Sequence, residues 1–329
     1  MQLIDSFGRT VNYVRLSVTD RCDLRCVYCM AEEMTFLPRA EVLSIEEFTT
    51  LGRTFVELGV TKLRITGGEP LVRRGTIELL QNLGQLPGLN ELCLTTNGTH
   101  LPQYAQAIRD AGVKRINISL DSLDPERFRR LTRFGDINQV LAGIKAAQQA
   151  GLRIKLNCVA LKHYNADEVP KLVKFALNEG LDISFIEEMP LGQISEHGRA
   201  AEYVSSDELR DQLSRYYRLV PQEEIQSDAG PSRYWQVEGF SSRIGFISPH
   251  SHNFCSSCNR VRVTATGRLL LCLGNEHSTD LRQVLRAENY SNEALRASII
   301  NAMHHKPERH FFELNEEPQI VRFMNMTGG

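Results

Sequence analysis

The chain is patterned as short runs in which apolar and polar residues alternate, separated by longer segments of helical period. Successive side chains on a strand point to opposite faces, so each alternating run predicts a strand. Six such runs recur at intervals of about 25 to 35 residues, namely 13–19, 62–66, 91–96, 115–121, 153–160 and 182–188. Between them, apolar residues recur every three to four positions, and Ser44 with Glu47 forms a capping box before one such segment. Six strand–helix units are too few for a closed eight-stranded form, so we expect an α/β fold with a partial, open, six-stranded parallel β/α barrel.

Five of these strands each have a polar face as well as an apolar one. Parallel strands that are covered by crossover helices are normally apolar on both faces. A polar face on several neighbouring strands therefore predicts a binding cavity inside the barrel, and an exposed sheet face is the less common alternative. The polar positions are Arg15, Ser17, Thr19, Lys62, Arg64, Thr66, Thr95, Asn97, Asn117, Ser119, Asp121, Lys155 and Asn157.

The regular alternation stops after Pro190, which divides the chain into two predicted domains, residues 1–190 and 191–329. In the second domain, apolar positions flank a Thr-Gly turn and predict a hairpin that returns Cys272 toward Cys255 and Cys258. Two amphipathic helices are expected near 279–287 and 292–303. The residues after Pro307 form a tail that finishes Thr-Gly-Gly.

Composition narrows the compartment and the partners. The 329 residues are 42% hydrophobic, enough for a substantial core, and the net charge of −2 gives no general attraction to nucleic acid or anionic membrane. The sequence has neither a signal peptide nor a run of about 18 uncharged apolar residues. We therefore expect a cytoplasmic protein that binds no nucleic acid and no membrane. In a reducing compartment its eight cysteines favour metal binding over disulfide bonds. Cys93 and Cys158 lie in apolar runs and are expected in the core.

The other six cysteines form two triplets. Cys22, Cys26 and Cys29 have the spacing C-x3-C-x2-C, with no histidine or fourth cysteine nearby to close a structural zinc site. Three thiolates on a 4Fe-4S cluster leave one iron free to bind a substrate. The second triplet, Cys255, Cys258 and Cys272, has possible fourth ligands in His250 and His252, so a structural zinc site remains an alternative there.

The stretch C-D-L-R-C-V-Y-C resembles the signature of the radical S-adenosylmethionine (SAM) superfamily, including an aromatic residue before the third cysteine. In that superfamily the amino and carboxylate groups of SAM occupy the fourth position on the cluster. The segment G-G-E-P at 67–70 resembles the superfamily loop whose glycines let the backbone approach the methionine amino group. Taken alone, that segment is only a turn that leads into a helix.

A narrower resemblance, to the GTP 3′,8-cyclase family of molybdenum cofactor biosynthesis, covers nearly the whole chain. The matching blocks are R-L-S-V-T-D-R-C, R-I-T-G-G-E-P, T-T-N-G, N-I-S-L-D-S-L, I-K-L-N, F-I-E-E-M-P, the C-x2-C-N-R-V-R block that closes at Cys272, and the terminal G-G. Residues 191–245 carry no pattern that matches the family. A second triplet of form C-x2-C-x13-C with R-V-R inside it is specific to this family.

The resemblance assigns roles residue by residue. Cys22, Cys26 and Cys29 would hold the 4Fe-4S cluster that cleaves SAM, and Cys255, Cys258 and Cys272 a second 4Fe-4S cluster whose open iron meets the guanine. The residues implied to bind SAM are Tyr28, Gly68, Ser119 and Met189. Those implied to bind GTP are Arg15, Arg64, Thr95, Lys155, Arg260, Val261 and Arg262. Catalytic roles are implied for Arg262, Gly328 and Gly329, the last two on a tail that reaches into the barrel.

The implied reaction is a lyase reaction on GTP. A 5′-deoxyadenosyl radical takes the hydrogen from ribose C3′, and the sugar radical attacks guanine C8 to give 3′,8-cyclo-7,8-dihydro-GTP, the first step of molybdenum cofactor biosynthesis. The implied partners are a reduced electron donor such as flavodoxin and, downstream, cyclic pyranopterin monophosphate synthase. A homodimer is also expected.

The residues themselves support a phosphorylated substrate. Arg and Lys are in surplus on the polar strand face, where Arg offers forked hydrogen bonds to phosphate and Lys a point charge. The sequence contains no G-x4-G-K-[ST] loop, so side chains would have to hold the phosphates. Two alternatives remain at this point. One is a radical SAM enzyme that modifies peptides or proteins with an auxiliary cluster, and the other is a zinc protein that binds RNA or a partner.

Overall fold

The alternating runs fold into one continuous sheet. A computed structural model describes residues 2–194, 198–222, 230–313 and 320–328. The strands in these ranges are Tyr13–Ser17 (β1), Lys62–Thr66 (β2), Glu91–Thr96 (β3), Arg115–Ser119 (β4), Arg153–Ala160 (β5), Asp182–Glu187 (β6), Leu219–Pro221 (β7), Arg233–Val237 (β8), Arg243–Ile247 (β9), Arg260–Val263 (β10), Arg268–Leu270 (β11) and Ser278–Asp280 (β12). The α-helices are Ile45–Glu57 (α1), Thr76–Gly84 (α2), Leu101–Asp110 (α3), Pro125–Thr132 (α4), Ile137–Gln149 (α5), Val169–Asn178 (α6), Arg199–Glu202 (α7), Ser206–Ser214 (α8), Leu281–Leu285 (α9), Asn292–Met303 (α10) and Met324–Thr327 (α11).

The six predicted strands are confirmed, and they lie side by side in chain order. All five pairings from β1–β2 to β5–β6 are parallel. The prediction of a six-stranded unit was too small, however. In the described ranges the sheet has twelve strands in the order β12-β11-β10-β1-β2-β3-β4-β5-β6-β9-β8-β7. The additional strands come from the C-terminal part of the chain and extend the sheet at both ends.

The helices form because their apolar residues recur at helical spacing, and they cover the apolar strand faces. α1 begins at the predicted capping box, in which Ser44 and Glu47 each accept a backbone N–H of the other, and it buries Phe48, Leu51 and Phe55. These side chains belong to one large core cluster that contains the apolar residues of the strands. No helix in the described ranges has the length and apolar character that crossing a membrane requires.

Two C-terminal strands join the central sheet directly. β9 pairs with β6, and β10 pairs with β1, both in parallel. The predicted hairpin is confirmed as the antiparallel pair β10–β11. The predicted helix 292–303 is confirmed as α10, whereas the segment predicted as a helix at 279–287 is shorter, since α9 follows directly on strand β12. Asp280 ends that strand and caps α9 by accepting the backbone N–H of Gln283.

Candidate active site

A cavity lies against the polar face of the sheet, as the alternation predicted. The residues that line it include both cysteine triplets and most of the polar strand positions. Cys93 and Cys158 have no exposed surface and are core residues, as expected. From the predicted polar face, the cavity is lined by Arg15, Lys62, Arg64, Thr66, Thr95, Asn97, Asn117, Ser119, Asp121, Lys155 and Asn157.

The first triplet occupies the loop after β1, and backbone hydrogen bonds fix this loop on two sides. Val27 N–H donates to Leu131 O at 2.9 Å, which ties the loop to α4. On the other side, Glu69 N–H donates to Arg21 O at 2.8 Å. A Cβ on Gly68 would lie 2.5 Å from Arg21 O, so only glycine allows the G-G-E-P segment to approach this closely.

The thiols of the first triplet are held in a poorly solvated environment. Burial is the main cause that raises the pKa of Cys22 and Cys26, and it raises the pKa of Cys29 to about 12. Because only the thiolate ligates metal, such thiols need a strongly positive partner to lose their protons. Three cysteines on one loop are the donor set that a 4Fe-4S cluster takes.

Strands β1 and β10 run side by side in parallel, with the first triplet at one end of this pair and the second triplet at the other. Cys258 precedes β10, and Cys272 follows β11 on the antiparallel return, so the hairpin brings these two cysteines to one end. Lys306, which is 2% exposed, donates to Leu271 O at 2.9 Å and lies 3.5 Å from Cys258 Sγ. Burial opposes ionisation of Cys258, but the charges of Arg260 and Lys306 lower its pKa to about 7. Three cysteine thiolates are again a donor set that suits a 4Fe-4S cluster.

The histidines that could have completed a zinc site are engaged elsewhere. His250 Nε2 lies 2.9 Å from Glu188 O, and His252 Nε2 lies 3.0 Å from both carboxylate oxygens of Asp207. In the part of the chain that the structure describes, no three His, Cys, Asp or Glu side chains converge closely enough to hold a single metal ion. Neither His250 nor His252 is therefore positioned as a fourth zinc ligand of the second triplet.

Cationic side chains occupy the space between the two triplets. In the sheet register, Arg15 lies opposite Arg64 on one side and opposite Arg262 on the other. None of these three arginines forms a salt bridge among the described residues. Burial, and then the charges of Arg15 and Arg260, lower the pKa of Arg262 well below its usual value. Holding such charges side by side in a poorly solvated cavity is unfavourable unless an anion joins them.

The remaining predicted GTP residues lie on the same surface. Arg64 Nη1 donates to Thr95 Oγ1 at 3.2 Å, and Lys155 Nζ donates to Tyr234 Oη at 2.8 Å. Arg260 also lines the cavity. Val261 lines it too, but its side chain belongs to the hydrophobic core, so a polar contact from this residue has to come from its backbone.

The four predicted SAM residues, Tyr28, Gly68, Ser119 and Met189, all line the cavity near the first triplet. Tyr28 Oη donates to Asp121 Oδ2 at 2.7 Å, and Asp121 Oδ1 also accepts Val159 N–H at 2.9 Å. Asp121 thereby connects the cysteine loop to β5. The sequence marked Asp121 only as polar, and nothing local identified it as the partner of Tyr28.

Several buried polar atoms in this region have no hydrogen-bond partner among the described residues. They include Asn117 Oδ1 and Asn157 Oδ1, which line the cavity, and Ser17 Oγ on the same strand face as Arg15. Buried polar atoms are normally satisfied, so unsatisfied ones in a cavity indicate a polar ligand. This pattern fits the polar groups of a nucleotide or of SAM.

The tail also lies at the site. Met324 N–H donates to Cys29 O at 3.2 Å, and Asn325 Nδ2 donates to Asp20 O at 2.8 Å. Arg262 donates to the backbone oxygens of Thr327, at 3.3 Å, and of Gly328. Gly328 is therefore in contact with a residue that lines the cavity, whereas Gly329 lies outside the described residues.

The chain is similar to known proteins along nearly its whole length. Residues 16–176 match the model of the Radical SAM superfamily, and residues 181–312 match that of Molybdenum Cofactor Synthesis C. A GTP 3′,8-cyclase from Saccharophagus degradans is 62% identical over 99% of this chain and 98% of its own length. One from Pseudomonas putida is 59% identical over 99% and 98%. The chain belongs to the GTP 3′,8-cyclase family.

Solved structures agree on the fold. SuiB of Streptococcus suis, solved with S-adenosylmethionine bound, superposes with a TM-score of 0.62 at 14% identity, covering 98% of this chain and 77% of that chain. This likeness shows the radical SAM fold. Membership of the GTP 3′,8-cyclase family makes the chain a radical SAM lyase of molybdenum cofactor biosynthesis that works with a 4Fe-4S cluster and SAM.

Proposed function

We propose that this chain converts GTP into 3′,8-cyclo-7,8-dihydro-GTP. The observation that carries the proposal is that both cysteine triplets line one cavity, with Arg15, Arg64 and Arg262 between them. Each triplet supplies three thiolates and leaves one position for a small molecule. The cations supply the complementary charge for a triphosphate. Family membership and site chemistry therefore point to the same substrate.

The triphosphate is bound by the cations of the central strands. Guanidinium groups on neighbouring strands can each direct two N–H donors at phosphate oxygens, and Lys155 adds a point charge from β5. Binding relieves the repulsion among the arginines, so the cost of burying them is offset when GTP is present. We assign GTP binding to Arg15, Arg64, Thr95, Lys155, Arg260, Val261 and Arg262.

Cys22, Cys26 and Cys29 would hold the first cluster and Cys255, Cys258 and Cys272 the second, with SAM bound by Tyr28, Gly68, Ser119 and Met189. When bound, the first cluster and SAM supply the 5′-deoxyadenosyl radical that takes the C3′ hydrogen, which allows attack on guanine C8. The chain orients the ribose by holding the triphosphate, and the cavity walls keep other hydrogen donors away from the site. Arg262, Gly328 and Gly329 have catalytic roles because Arg262 connects the substrate region to the tail.

The wider setting follows from the same assignment. The six parallel strands β1 to β6 form a partial barrel around the cavity. The chain has two domains, residues 1–190 and 191–329. The enzyme works in the cytoplasm as a homodimer. It receives electrons from a reduced donor such as flavodoxin and passes its product to cyclic pyranopterin monophosphate synthase.

Iron analysis of the anaerobically purified protein tests the two-cluster assignment. The wild type should be brown, with about eight irons per chain, because two cubane clusters need that many. Cys22→Ala should lose about half of this iron and all SAM cleavage, whereas Cys258→Ala should keep the first cluster and cleave SAM. A colourless zinc protein, or two folded variants that both lose all iron, would contradict the assignment.

A further inference from the structure

Tyr13 places its hydroxyl among the cations of the cavity. It is the first residue of β1 and lies on the same strand face as Arg15, two residues later. The ring is 2% exposed. Arg64 Nε donates to Tyr13 Oη at 2.6 Å, and Arg15 Nε donates to the same oxygen at 3.2 Å. One phenol oxygen is therefore shared by two guanidinium groups from neighbouring strands.

The Tyr13 hydroxyl counteracts the repulsion between two arginines that the strand register places side by side. Arg15 and Arg64 are directly opposite each other on β1 and β2, where like charges repel. Among the described residues neither arginine has a carboxylate partner that would hold it in place. Without a common acceptor, two long cationic side chains would separate and lose their shared orientation. Tyr13 uses only the Nε of each. Arg64 Nη1 donates to Thr95 Oγ1 at 3.2 Å and to Leu94 O at 3.4 Å, so the donors left for the cavity are Nη2 of Arg64 and both Nη groups of Arg15.

We propose that Tyr13 is a positioning residue that holds Arg15 and Arg64 side by side so that both bind the triphosphate of the substrate. The proposal rests on the proposed function, since it concerns how that site binds GTP.

Two further observations support the proposal. Burial opposes ionisation of Tyr13, but the charges of Arg15 and Arg64 lower its pKa to about 7. The arrangement also recurs across the cavity, where Tyr234 Oη accepts Lys155 Nζ at 2.8 Å. Tyrosine hydroxyls thus orient cations of the substrate site on both β1 and β8.

A double-mutant cycle on GTP binding tests the proposal. Calorimetry on the full, cluster-loaded chain without SAM measures binding in the absence of turnover. Tyr13→Phe should weaken GTP binding roughly tenfold, the value of about one charged hydrogen bond, while leaving iron content unchanged. In an Arg64→Met background the same change should cost only about twofold, because one of the two positioned groups is gone. Binding of guanosine, which has no phosphate, should not respond to Tyr13→Phe. Tyr216→Phe, at a 66% exposed position, is the matched control.

The outcomes distinguish failure of the Tyr13 proposal from failure of the proposed function. Wild-type GTP affinity in Tyr13→Phe would overturn the proposal, and so would an equal loss in both backgrounds, since that indicates general damage. Failure of the wild type to bind GTP would instead contradict the proposed function. Should Tyr13→Phe not fold, Tyr13→Gln and Tyr13→Leu replace it. The Gln variant keeps an oxygen acceptor and should bind GTP more tightly than the Leu variant, and equal binding would refute the role of Tyr13.

Discussion

Replacing Gly328 with alanine should displace the tail from the site. Gly328 has φ +75°, a backbone conformation that L side chains rarely adopt. The structure also leaves no room for a methyl group at this position. A Cβ would lie 1.9 Å from Thr66 Oγ1, 2.9 Å from Thr66 Cβ and 3.2 Å from Ser17 Cβ. Because Thr66 is buried in β2, it cannot move aside, and the tail has to move instead.

The backbone angle of Gly328 and the contact with Thr66 together set how far the substitution displaces the tail. The backbone angle alone costs an alanine about 1 to 2 kcal/mol. The contact with Thr66 adds to this, since 1.9 Å is far inside van der Waals distance. A cost of about 1 to 2 kcal/mol already reduces the ratio of inserted to displaced tail roughly fivefold to thirtyfold. Displacement also removes the hydrogen bond from Arg262 to Gly328 O, so the substrate region loses a contact.

GTP turnover and tail protection are the two measurements. Gly328→Ala should lower cyclisation at least fivefold and make the tail more susceptible to limited proteolysis, with both clusters and the thermal unfolding midpoint retained. Gly151→Ala is the control, because Gly151 has φ +73° and nothing within 4 Å of an added Cβ. That change carries the same backbone cost without a clash at the site, so it should lower stability by about 1 to 2 kcal/mol and leave turnover intact.

A second substitution, at Thr66, tests whether the close contact with Thr66 causes the loss of turnover. Thr66→Ala removes the oxygen that the new methyl group meets, so turnover should recover partly when it is combined with Gly328→Ala. Full turnover in Gly328→Ala with the tail still protected would refute the reasoning, because the tail would then tolerate the methyl group where it lies. Deleting residues 328 and 329 should reproduce the loss, and a short peptide that ends in Gly-Gly should restore part of it.

Three further predictions concern residues that line the cavity or form salt bridges to residues that line it. Arg262→Ala or Lys155→Ala should each weaken GTP binding by about 1.5 to 3 kcal/mol with iron content intact, and unchanged affinity in both would exclude a role in binding. Asp121→Asn, which leaves Tyr28 Oη or a backbone N–H without its acceptor, should weaken equilibrium binding of SAM but not of GTP. Burial opposes ionisation of Glu91, but the charges of Arg115 and Lys62 lower its pKa to about 2. Its stabilising contribution is therefore present above pH 4.5 and lost as the pH falls toward 2, so Glu91→Gln should flatten the acid side of a stability curve.

Local patterns in the sequence were sufficient for strands β1 to β6 and for their polar face. The alternation is a property of consecutive residues, so Arg64 and Lys155 could be assigned to one face without knowing which strands are neighbours. The cysteine spacing was equally local. Alternation places Tyr13 on the same face as Arg15, but its role was missed because only the pairing of β1 with β2 brings Arg64 to the same hydroxyl.

Pairings between distant residues could not be predicted. Nothing in the pattern of β10 indicates that it lies beside β1 in parallel, yet this pairing brings Arg262 next to Arg15. The same reason explains why the sequence did not predict the twelve strands that the described residues contribute to the sheet. Lys306 likewise lies in an irregular segment, and its contact with Cys258 joins residues 48 positions apart.

The pairing of β1 with β10 also explains how one cavity can be lined by both cysteine triplets. The first triplet follows the carboxyl end of β1, whereas Cys258 precedes the amino end of β10. Since the two strands run in the same direction, the triplets lie at opposite ends of the strands, about 15 Å apart for strands of this length. Arg15 and Arg262 lie along the strands between those ends. A substrate that reaches both triplets therefore has to cross this cationic surface, and its charge suits a polyanionic nucleotide.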